Sequence, residues 1–133
     1  MAMADLATPM AIRVAATLRL VEHAGTQGAT ADELASRTQS SAPALRQLLA
    51  HLVTARVFEL DHEGLYHPTN LGRQIPDHSL LLDQMNAGGR AEVAFVGLLD
   101  TIATGEPAYP KQYGRSFWDD LDRDPRLRSS FDA

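Results

Sequence analysis

The 133-residue sequence contains no cysteine. This absence excludes disulfide bonds, thiolate zinc sites and cysteine nucleophiles within the chain, and it favours the reducing cytoplasm. Long apolar runs are missing too, since the longest, Val93–Leu99, is far shorter than the roughly 20 residues of a membrane-spanning helix. Residues Met1–Leu6 lack the basic start and apolar stretch of a secretory signal peptide. We therefore expect a cytoplasmic protein with no membrane partner.

Positive charge is also scarce. Twelve Lys and Arg residues against 17 Asp and Glu residues give a formal net charge of −5 at pH 7. Because phosphate contacts dominate nucleic-acid binding and need clustered cations, this balance argues against a nucleic-acid partner. Apolar residues make up 44% of the chain and charged residues 22%, which is usual for a globular protein. A chain of this length can bury one independent core.

The first block of the chain predicts helices with clear ends. Apolar residues recur at helical spacing over residues 8–25, where Thr8 and Pro9 are suited to begin a helix and Gly25 to end it. Residues 30–33, Thr-Ala-Asp-Glu, form a capping box, in which each end residue binds the other's backbone N–H. A second, short helix is expected to start there.

The next block predicts a helix-turn-helix followed by a hairpin. Residues 41–56 carry one apolar stripe at helical spacing, and Ser41 can cap their first turn. Two strand-like runs, 57–60 and 65–67, flank a polar turn that contains a glycine. A helix-turn-helix with such a hairpin is a winged helix.

The second half of the chain is predicted to be helical from Ser79, with an interruption at Gly88-Gly89 and further helices opened by Ser116 and Pro125. The helix predicted over residues 90–104 is unusual. Its apolar side chains cover an arc of about 200°, twice the width expected of a one-sided surface helix. Such a helix needs two apolar partners, and in so small a domain we expect the second to be another chain.

Five stretches of the sequence carry a resemblance to a known family, namely residues 8–23, 45–53, 104–109, 113–121 and 131–133. In this order, over nearly all of Thr8–Ala133, they resemble the N-terminal part of dimeric S-adenosylmethionine-dependent O-methyltransferases. The nearest subgroup tailors aromatic polyketides such as anthracyclines. The resemblance implies a mainly α fold, a winged-helix dimerisation domain (helix-turn-helix plus small β-hairpin) with additional C-terminal helices.

The resemblance also implies how the chain is organised. Residues 1–7 would be an N-terminal tail, residues 8–78 the winged-helix dimerisation domain, and residues 79–133 a helical extension that leads toward a catalytic domain absent from this sequence. In the full-length family that domain binds S-adenosylmethionine. The chain would act as the dimerisation and substrate-pocket module of such an enzyme.

The sequence itself lacks the pattern of a methyl-donor site. That site needs a buried strand, a Gly-rich turn and a helix, whereas Gly88-Gly89 follows a helical stretch. We therefore expect no catalytic residue, no cofactor-binding residue and no metal ligand in this chain. On its own it should be inactive and should not bind S-adenosylmethionine.

Four side chains are candidates for the wall of an acceptor pocket. The resemblance places pocket-lining residues on the 90–104 helix and near the 117–118 junction, and a flat polycyclic acceptor favours an aromatic, apolar lining. The candidates are Phe95, Leu99, Phe117 and Trp118. For Phe117 and Trp118 the alternative is that they anchor the terminal helices in the core.

A twofold homodimer is the expected assembly. The first helix and the 90–104 helix would form its interface, unless both fill the core of their own chain. The predicted interface residues are Ile12, Val14, Leu18, Val93, Val96, Leu98 and Ile102.

Two motifs that look catalytic have simpler explanations. His62–His67 resembles the zinc-protease sequence H-E-x-x-H, but it has one residue too many and a glycine inside a predicted turn. A cluster of carboxylates follows Trp118, and interspersed arginines predict that it is a solvated helix face. Its members are Asp119, Asp120, Asp122 and Asp124.

Two other functions remain open from the sequence. The chain could be a winged-helix DNA-binding transcriptional regulator that reads DNA with residues 42–56. Within residues 42–55, however, Arg46 is the only Lys or Arg, and the wing carries Asp61 and Glu63. It could also be a stand-alone accessory subunit that pairs with a separate catalytic domain or subunit.

Overall fold

The computed structural model describes residues 4–133, so residues 1–3 of the predicted tail lie outside the described residues. The chain divides into two compact units. The N-terminal unit extends to His78, and the C-terminal unit spans Ser79–Ala133.

Two helices, α1 (Ala7–Leu18) and α2 (Leu20–Ala24), replace the single helix predicted over residues 8–25. Between them Arg19 has a left-handed backbone, with φ 57°, which ends the first helix. The predicted cap was also wrong. The hydroxyl of Thr8 shares a 2.9 Å hydrogen bond with His51 Nε2, and the backbone N–H of Thr8 donates to the Asp5 carboxylate instead. The Thr8 side chain is therefore engaged in a tertiary contact with His51 and does not cap the helix.

The predicted helix-turn-helix is confirmed as α3 (Ala31–Thr38) and α4 (Ala42–Thr54). The capping box forms, since the N–H of Glu33 donates to Thr30 Oγ1 over 3.1 Å and the N–H of Thr30 donates to Glu33 Oε1 over 3.0 Å. Helix α4 begins after Ser41, whose hydroxyl accepts the Ala44 N–H.

The wing is an antiparallel hairpin of β1 (Phe58–Leu60) and β2 (Tyr66–Pro68), with Glu59 opposite His67. In its turn, the Asp61 carboxylate accepts two backbone N–H groups over 2.9 Å and contacts His67 Nε2 at 2.7 Å. A 3-10 helix, Gly72–His78, ends this unit.

The core of the N-terminal unit lies between these elements. Helix α4 packs against α1, α3 and β1, and α2 packs against β2. The fully buried large side chains come from α2, α3, α4 and the start of the wing. They are Leu20, Leu34, Leu49, Leu52, Val57 and Phe58.

The C-terminal unit is a set of short helices. Their bounds are α5 (Ser79–Leu82), α6 (Ala87–Val93), a 3-10 segment (Ala94–Gly97), α7 (Leu98–Thr104), α8 (Ala108–Tyr113), α9 (Phe117–Arg123) and α10 (Pro125–Asp132). Ser116 caps α9 and Pro125 opens α10, as the sequence predicts. A small core of Ala87, Leu121 and Leu127 packs against Phe117.

Two predictions about this unit were wrong. Gly88-Gly89 lies inside α6 and does not interrupt it, because α5 and the turn after it approach the helix closely. A Cβ on Gly89 would lie 1.9 Å from the Asp83 carbonyl oxygen, so only glycine fits there. The helix predicted over 90–104 is broken by the 3-10 segment, where α8 packs and a Cβ on Gly97 would lie 3.1 Å from Ala108 Cβ.

Candidate functional site

An apolar cavity of about 330 Å³ opens in the C-terminal unit. Phe95 and Leu98 line it from the broken helix, and Tyr109 and Phe117 line it from α8 and α9. Its volume falls at the small end of the roughly 300–1,000 Å³ typical of small-molecule sites. An apolar, aromatic-lined cavity of this size is typical of a site for a small apolar molecule.

The aromatic side of the cavity belongs to a continuous cluster of rings. Phe117 meets Tyr109 edge-to-face with ring centroids 5.4 Å apart, and it makes similar contacts with Trp118 at 5.2 Å and Phe131 at 5.7 Å. Tyr109 also contacts Tyr113 at 4.6 Å. Edge-to-face geometry adds to the stabilisation that ring burial alone provides. The cavity wall is therefore held by ring-to-ring contacts across α8, α9 and α10.

A charged network lies behind this wall and is centred on Asp120, whose side chain is only 7% exposed. Its carboxylate accepts hydrogen bonds from the Tyr109 hydroxyl and, over 3.0 Å, from Arg90 Nη2. Arg115 Nε lies 3.4 Å from the other carboxylate oxygen. The Arg90 guanidinium also stacks on the Tyr113 ring, 3.8 Å from its centroid. Hydrogen bonding and charge pairing thus offset the cost of burying these groups.

The pKa values reflect this balance. Burial alone would raise the pKa of Asp120, but the hydrogen bonds from Tyr109 and Arg90 and the charges of Arg90 and Arg115 outweigh it, so the pKa lies below its ordinary value. Burial raises the pKa of Tyr109, and its hydrogen bond to Asp120 raises it further. At neutral pH, Asp120 is therefore ionised and Tyr109 keeps its proton.

The prediction that the aspartates after Trp118 form a solvated face was wrong for Asp120. The other three are exposed, whereas Asp120 points into the unit and pairs with Arg90, thirty residues earlier. One signal in the sequence could have suggested the pairing, because Arg90 is a charged residue inside the most apolar part of the chain. Such a residue needs a partner when it is buried.

One polar group that lines the cavity has no hydrogen-bond partner within the described part of the chain. The hydroxyl oxygen of Thr101 is buried and makes no hydrogen bond there, although Thr101 lines the cavity. A buried hydroxyl left without a hydrogen bond costs about 1–3 kcal/mol.

The four predicted pocket residues fall into two groups. Phe95 and Phe117 line the cavity. Leu99 and Trp118 are not among its lining residues and are 84% and 59% exposed. Trp118 still contacts the cluster through Phe117. Sequence reasoning missed Tyr109 as a wall residue and Asp120 and Arg90 as the groups behind it.

The predicted interface residues also divide. Val96, Leu98 and Ile102 are exposed, and with Phe95 and Leu99 they form what we call the exposed apolar face. Val93 is half-buried. In the N-terminal unit Ile12, Val14 and Leu18 are half-buried, and the last two line an apolar groove of about 280 Å³. Contiguous apolar surface of this kind commonly marks a contact with another molecule.

The residues present do not fit a methyl-donor site. The sheet of residues 4–133 is one antiparallel hairpin, and Gly88-Gly89 is filled by the carbonyl groups of Leu80 and Asp83 and not open to a ligand. No three His, Cys, Asp or Glu side chains in this part of the chain are placed to hold a metal ion. None of its helices has the length and composition needed to cross a bilayer.

The geometry around α4 does not favour DNA binding. Arg46, the basic residue that would face phosphate, forms an ion pair with Asp32 of α3. The turn of the wing exposes the carboxylate of Glu63, and the carboxylate of Asp61 is half-buried within it. Phosphate contacts need unpaired, clustered cations, so this geometry does not favour the regulator hypothesis.

Comparison with known proteins decides the family. Residues 2–75 match the O-methyltransferase dimerisation domain. The chain belongs to this family. The resemblance and the mainly α fold class inferred from the sequence are thereby confirmed, and the chain contains the dimerisation domain of this family.

Two similar proteins come from Streptomyces species. The chain is 48% identical to 2,7-dihydroxy-5-methyl-1-naphthoate 7-O-methyltransferase of Streptomyces carzinostaticus, over 99% of this chain and 41% of that protein. It is 45% identical to aclacinomycin 10-hydroxylase RdmB of Streptomyces purpurascens, over 97% of this chain and 36% of that protein. The chain thus spans about two-fifths of the length of these relatives.

One solved structure is similar to this chain in fold as well as in sequence. The O-methyltransferase NcsB1 of neocarzinostatin biosynthesis, in complex with S-adenosylmethionine and 2-hydroxy-5-methyl naphthoic acid, superposes with a TM-score of 0.92 and 47% identity. The match covers 99% of this chain and 42% of that one.

Proposed function

We propose that this chain is the dimerisation and acceptor-lining part of an S-adenosylmethionine-dependent O-methyltransferase that acts on a hydroxylated aromatic compound of polyketide type. The observation that carries the proposal is the apolar, aromatic-walled cavity, in a chain that matches NcsB1 along 99% of its length. S-adenosylmethionine would be bound by protein outside these 133 residues, in the same polypeptide or in a separate subunit. That part would also supply the groups that move the proton and the methyl group.

The role of these residues in methyl transfer is one of positioning. A flat acceptor held against the Phe95, Tyr109 and Phe117 side of the cavity would lose its freedom to rotate, and water would be displaced from its faces. Holding two reactants in line lowers the barrier to a transfer reaction without any chemical group of its own. In this proposal Leu99 and Trp118 extend the wall when the partner subunit and the catalytic part are present.

Methyl transfer is tested with the protein as its gene encodes it. The purified protein is incubated with methyl-labelled S-adenosylmethionine and a dihydroxynaphthoate, and the product is identified by mass spectrometry. We expect one methyl group on a hydroxyl oxygen. A product that gains oxygen and no methyl group would contradict the proposal and would favour a hydroxylase, the activity named for the RdmB relative.

Calorimetry tests whether S-adenosylmethionine is bound by protein outside these 133 residues. The 133-residue chain alone should show no heat of binding with S-adenosylmethionine, since its glycines and its hairpin do not form a donor site. Stoichiometric binding by these residues would contradict this part of the proposal.

Dimerisation is proposed to bury the exposed apolar face against a second copy of the chain. Burying one leucine side chain contributes about 1.5–3 kcal/mol, so several such residues can stabilise a dimer at micromolar concentration. Ile12, Val14, Leu18 and Val93 are the half-buried members of the proposed interface.

Sedimentation velocity tests the interface with paired variants. The double variant Leu99→Ser and Ile102→Ser removes its two most exposed side chains and should weaken the dimer at least about tenfold. The control is Leu71→Ser in the N-terminal unit, an exposed leucine outside the proposed interface, which should leave the dimer unchanged. A wild-type chain that is monomeric at micromolar concentration would contradict the proposal.

A further inference from the structure

The Tyr109 side chain lies between two environments. Its ring lines the cavity, and its hydroxyl donates a hydrogen bond to the buried carboxylate of Asp120. The same hydroxyl accepts a hydrogen bond from Arg90 Nε over 3.2 Å. A phenol with both donor and acceptor positions occupied cannot swing without breaking a charge-assisted bond.

Asp120 is itself held from two sides. Arg90 Nη2 contacts one carboxylate oxygen at 3.0 Å, and Arg115 Nε lies 3.4 Å from the other. Arg90 is fixed in turn through the Tyr113 ring beneath its guanidinium, and the Tyr113 hydroxyl donates to the Arg90 carbonyl oxygen over 2.9 Å. The network thus ties α6, α8 and α9 together at the back of the cavity wall.

We infer that Asp120 is a positioning residue for the cavity, because it holds the Tyr109 ring at the angle that a flat aromatic ligand meets. The inference rests on the proposed function, since it takes the cavity to be the acceptor site. Asp120 does not line the cavity and acts through Tyr109. Without its carboxylate the ring can turn toward the ligand space, and the cavity loses its preference for a flat two-ring compound.

The test measures the dissociation constant of 2-naphthoate by calorimetry for the 133-residue chain, with benzoate as the one-ring probe. Asp120→Asn removes the charge, and Tyr109→Phe keeps the ring but removes the hydroxyl. Each should weaken 2-naphthoate binding by about tenfold and benzoate binding by less than about twofold, because supporting contacts set the shape of a site. A purely structural role would change both probes alike or neither.

The double variant separates positioning from independent damage. Both substitutions act on the same Tyr109–Asp120 hydrogen bond, which Tyr109→Phe removes and Asp120→Asn deprives of its charge. The pair should therefore be no more than about twofold worse than the weaker-binding single variant. Asp122→Asn is the matched control on α9, since Asp122 is exposed and its carboxylate accepts a hydrogen bond from Arg128 Nη2 of α10. It should bind both probes as the wild type does.

The possible results distinguish a failure of the inference from a failure of the proposed function. Normal 2-naphthoate binding by folded Asp120→Asn, or by Tyr109→Phe, overturns it and leaves the proposed function standing, as does a double variant whose two losses multiply. If Asp120→Asn fails to fold, Tyr109→Phe alone decides, since it retains the ion pairs of Asp120 with Arg90 and Arg115. A wild-type chain that binds no 2-naphthoate at millimolar concentration overturns both the acceptor cavity and the inference.

Discussion

The two units of this chain have cores of different composition. The N-terminal unit buries leucines, a valine and a phenylalanine completely among four helices and a hairpin. The C-terminal unit has a core of two leucines, an alanine and a partly buried phenylalanine, and it buries a charged network beside them. It also carries most of the exposed large apolar side chains of residues 4–133.

The difference shows which unit exposes more apolar surface. The N-terminal unit hides most of its large apolar residues within its own structure, although Val14 and Leu18 line an apolar groove at its surface. The C-terminal unit leaves the exposed apolar face and much of its aromatic cluster in water, at a cost that burial against another surface would remove. Substitutions that are equal in chemistry should therefore have unequal effects in the two units.

The largest difference is expected for the same substitution in both units. Leu49→Ala removes a fully buried side chain of α4 and should lower the free energy of unfolding by about 2–5 kcal/mol. Leu99→Ala, at a leucine that is 84% exposed, should change it by less than about 0.5 kcal/mol in the monomer. Urea unfolding followed by circular dichroism at high dilution measures both. Equal losses would remove the contrast between the units.

Asp120→Asn should have the next largest effect and should act on the C-terminal unit. Removing one partner of a buried ion pair costs about 3–5 kcal/mol, and we expect about 2–3 kcal/mol because Arg90 keeps contact with water. Asp122→Asn on the same helix should cost less than about 0.5 kcal/mol. Thermal unfolding of the two variants compares them, and similar melting temperatures would show that the buried network is not what stabilises this unit.

Acid should destabilise the C-terminal unit more than the N-terminal unit, and this loss of stability should be smaller than the loss caused by Asp120→Asn. Both units hold a carboxylate with a lowered pKa: Asp120, whose hydrogen bonds outweigh its burial, and Glu33, chiefly through the Thr30 N–H. For a lowered pKa, the stabilisation is complete above the unfolded value, near about pH 4, and is lost as pH falls through the folded value. Glu33 is exposed, so its share is small. Hydrogen exchange at stepped pH should show a loss of protection in α9 of the wild type as pH falls below about 4, and an Asp120→Asn chain should lack this step.

The smallest effect expected is a gain in stability. Thr101→Val removes a buried hydroxyl that has no partner within residues 4–133, and it should raise the free energy of unfolding by about 1 kcal/mol. Thr104→Val is the control on α7, because that hydroxyl donates to the Asp100 carbonyl oxygen and accepts the Glu106 N–H. It should be neutral or destabilising. A loss of stability in Thr101→Val would mean that the hydroxyl has a role in the folded chain.

Sequence reasoning was most successful where neighbours along the chain decide the structure. The capping box at Thr30 and Glu33, the Ser116 cap and the hairpin around Gly64 depend on residues a few positions apart, and all were predicted. It failed where a distant contact competes. Thr8 bonds to His51, forty-three residues away, and Gly88-Gly89 supports close packing within a helix rather than a break.

The candidate site shows the same limit. Phe95 and Phe117 were predicted from their type and from the family resemblance, and they do line the cavity. Tyr109 was missed because nothing near it in sequence marks it as a wall residue. Asp120 stands among three exposed aspartates, and only its contact with Arg90 distinguishes it from them.

The sequence by itself determined the winged helix and the excess of apolar side chains over residues 93–102, because periodicity, capping and composition act through local geometry and through surface that must leave water. The tertiary structure alone decided where the 90–104 helix breaks, which aspartate is buried and how Tyr109 is held. Those outcomes depend on close packing and charge pairing between residues far apart in the chain, and their free energies appear only when the helices meet.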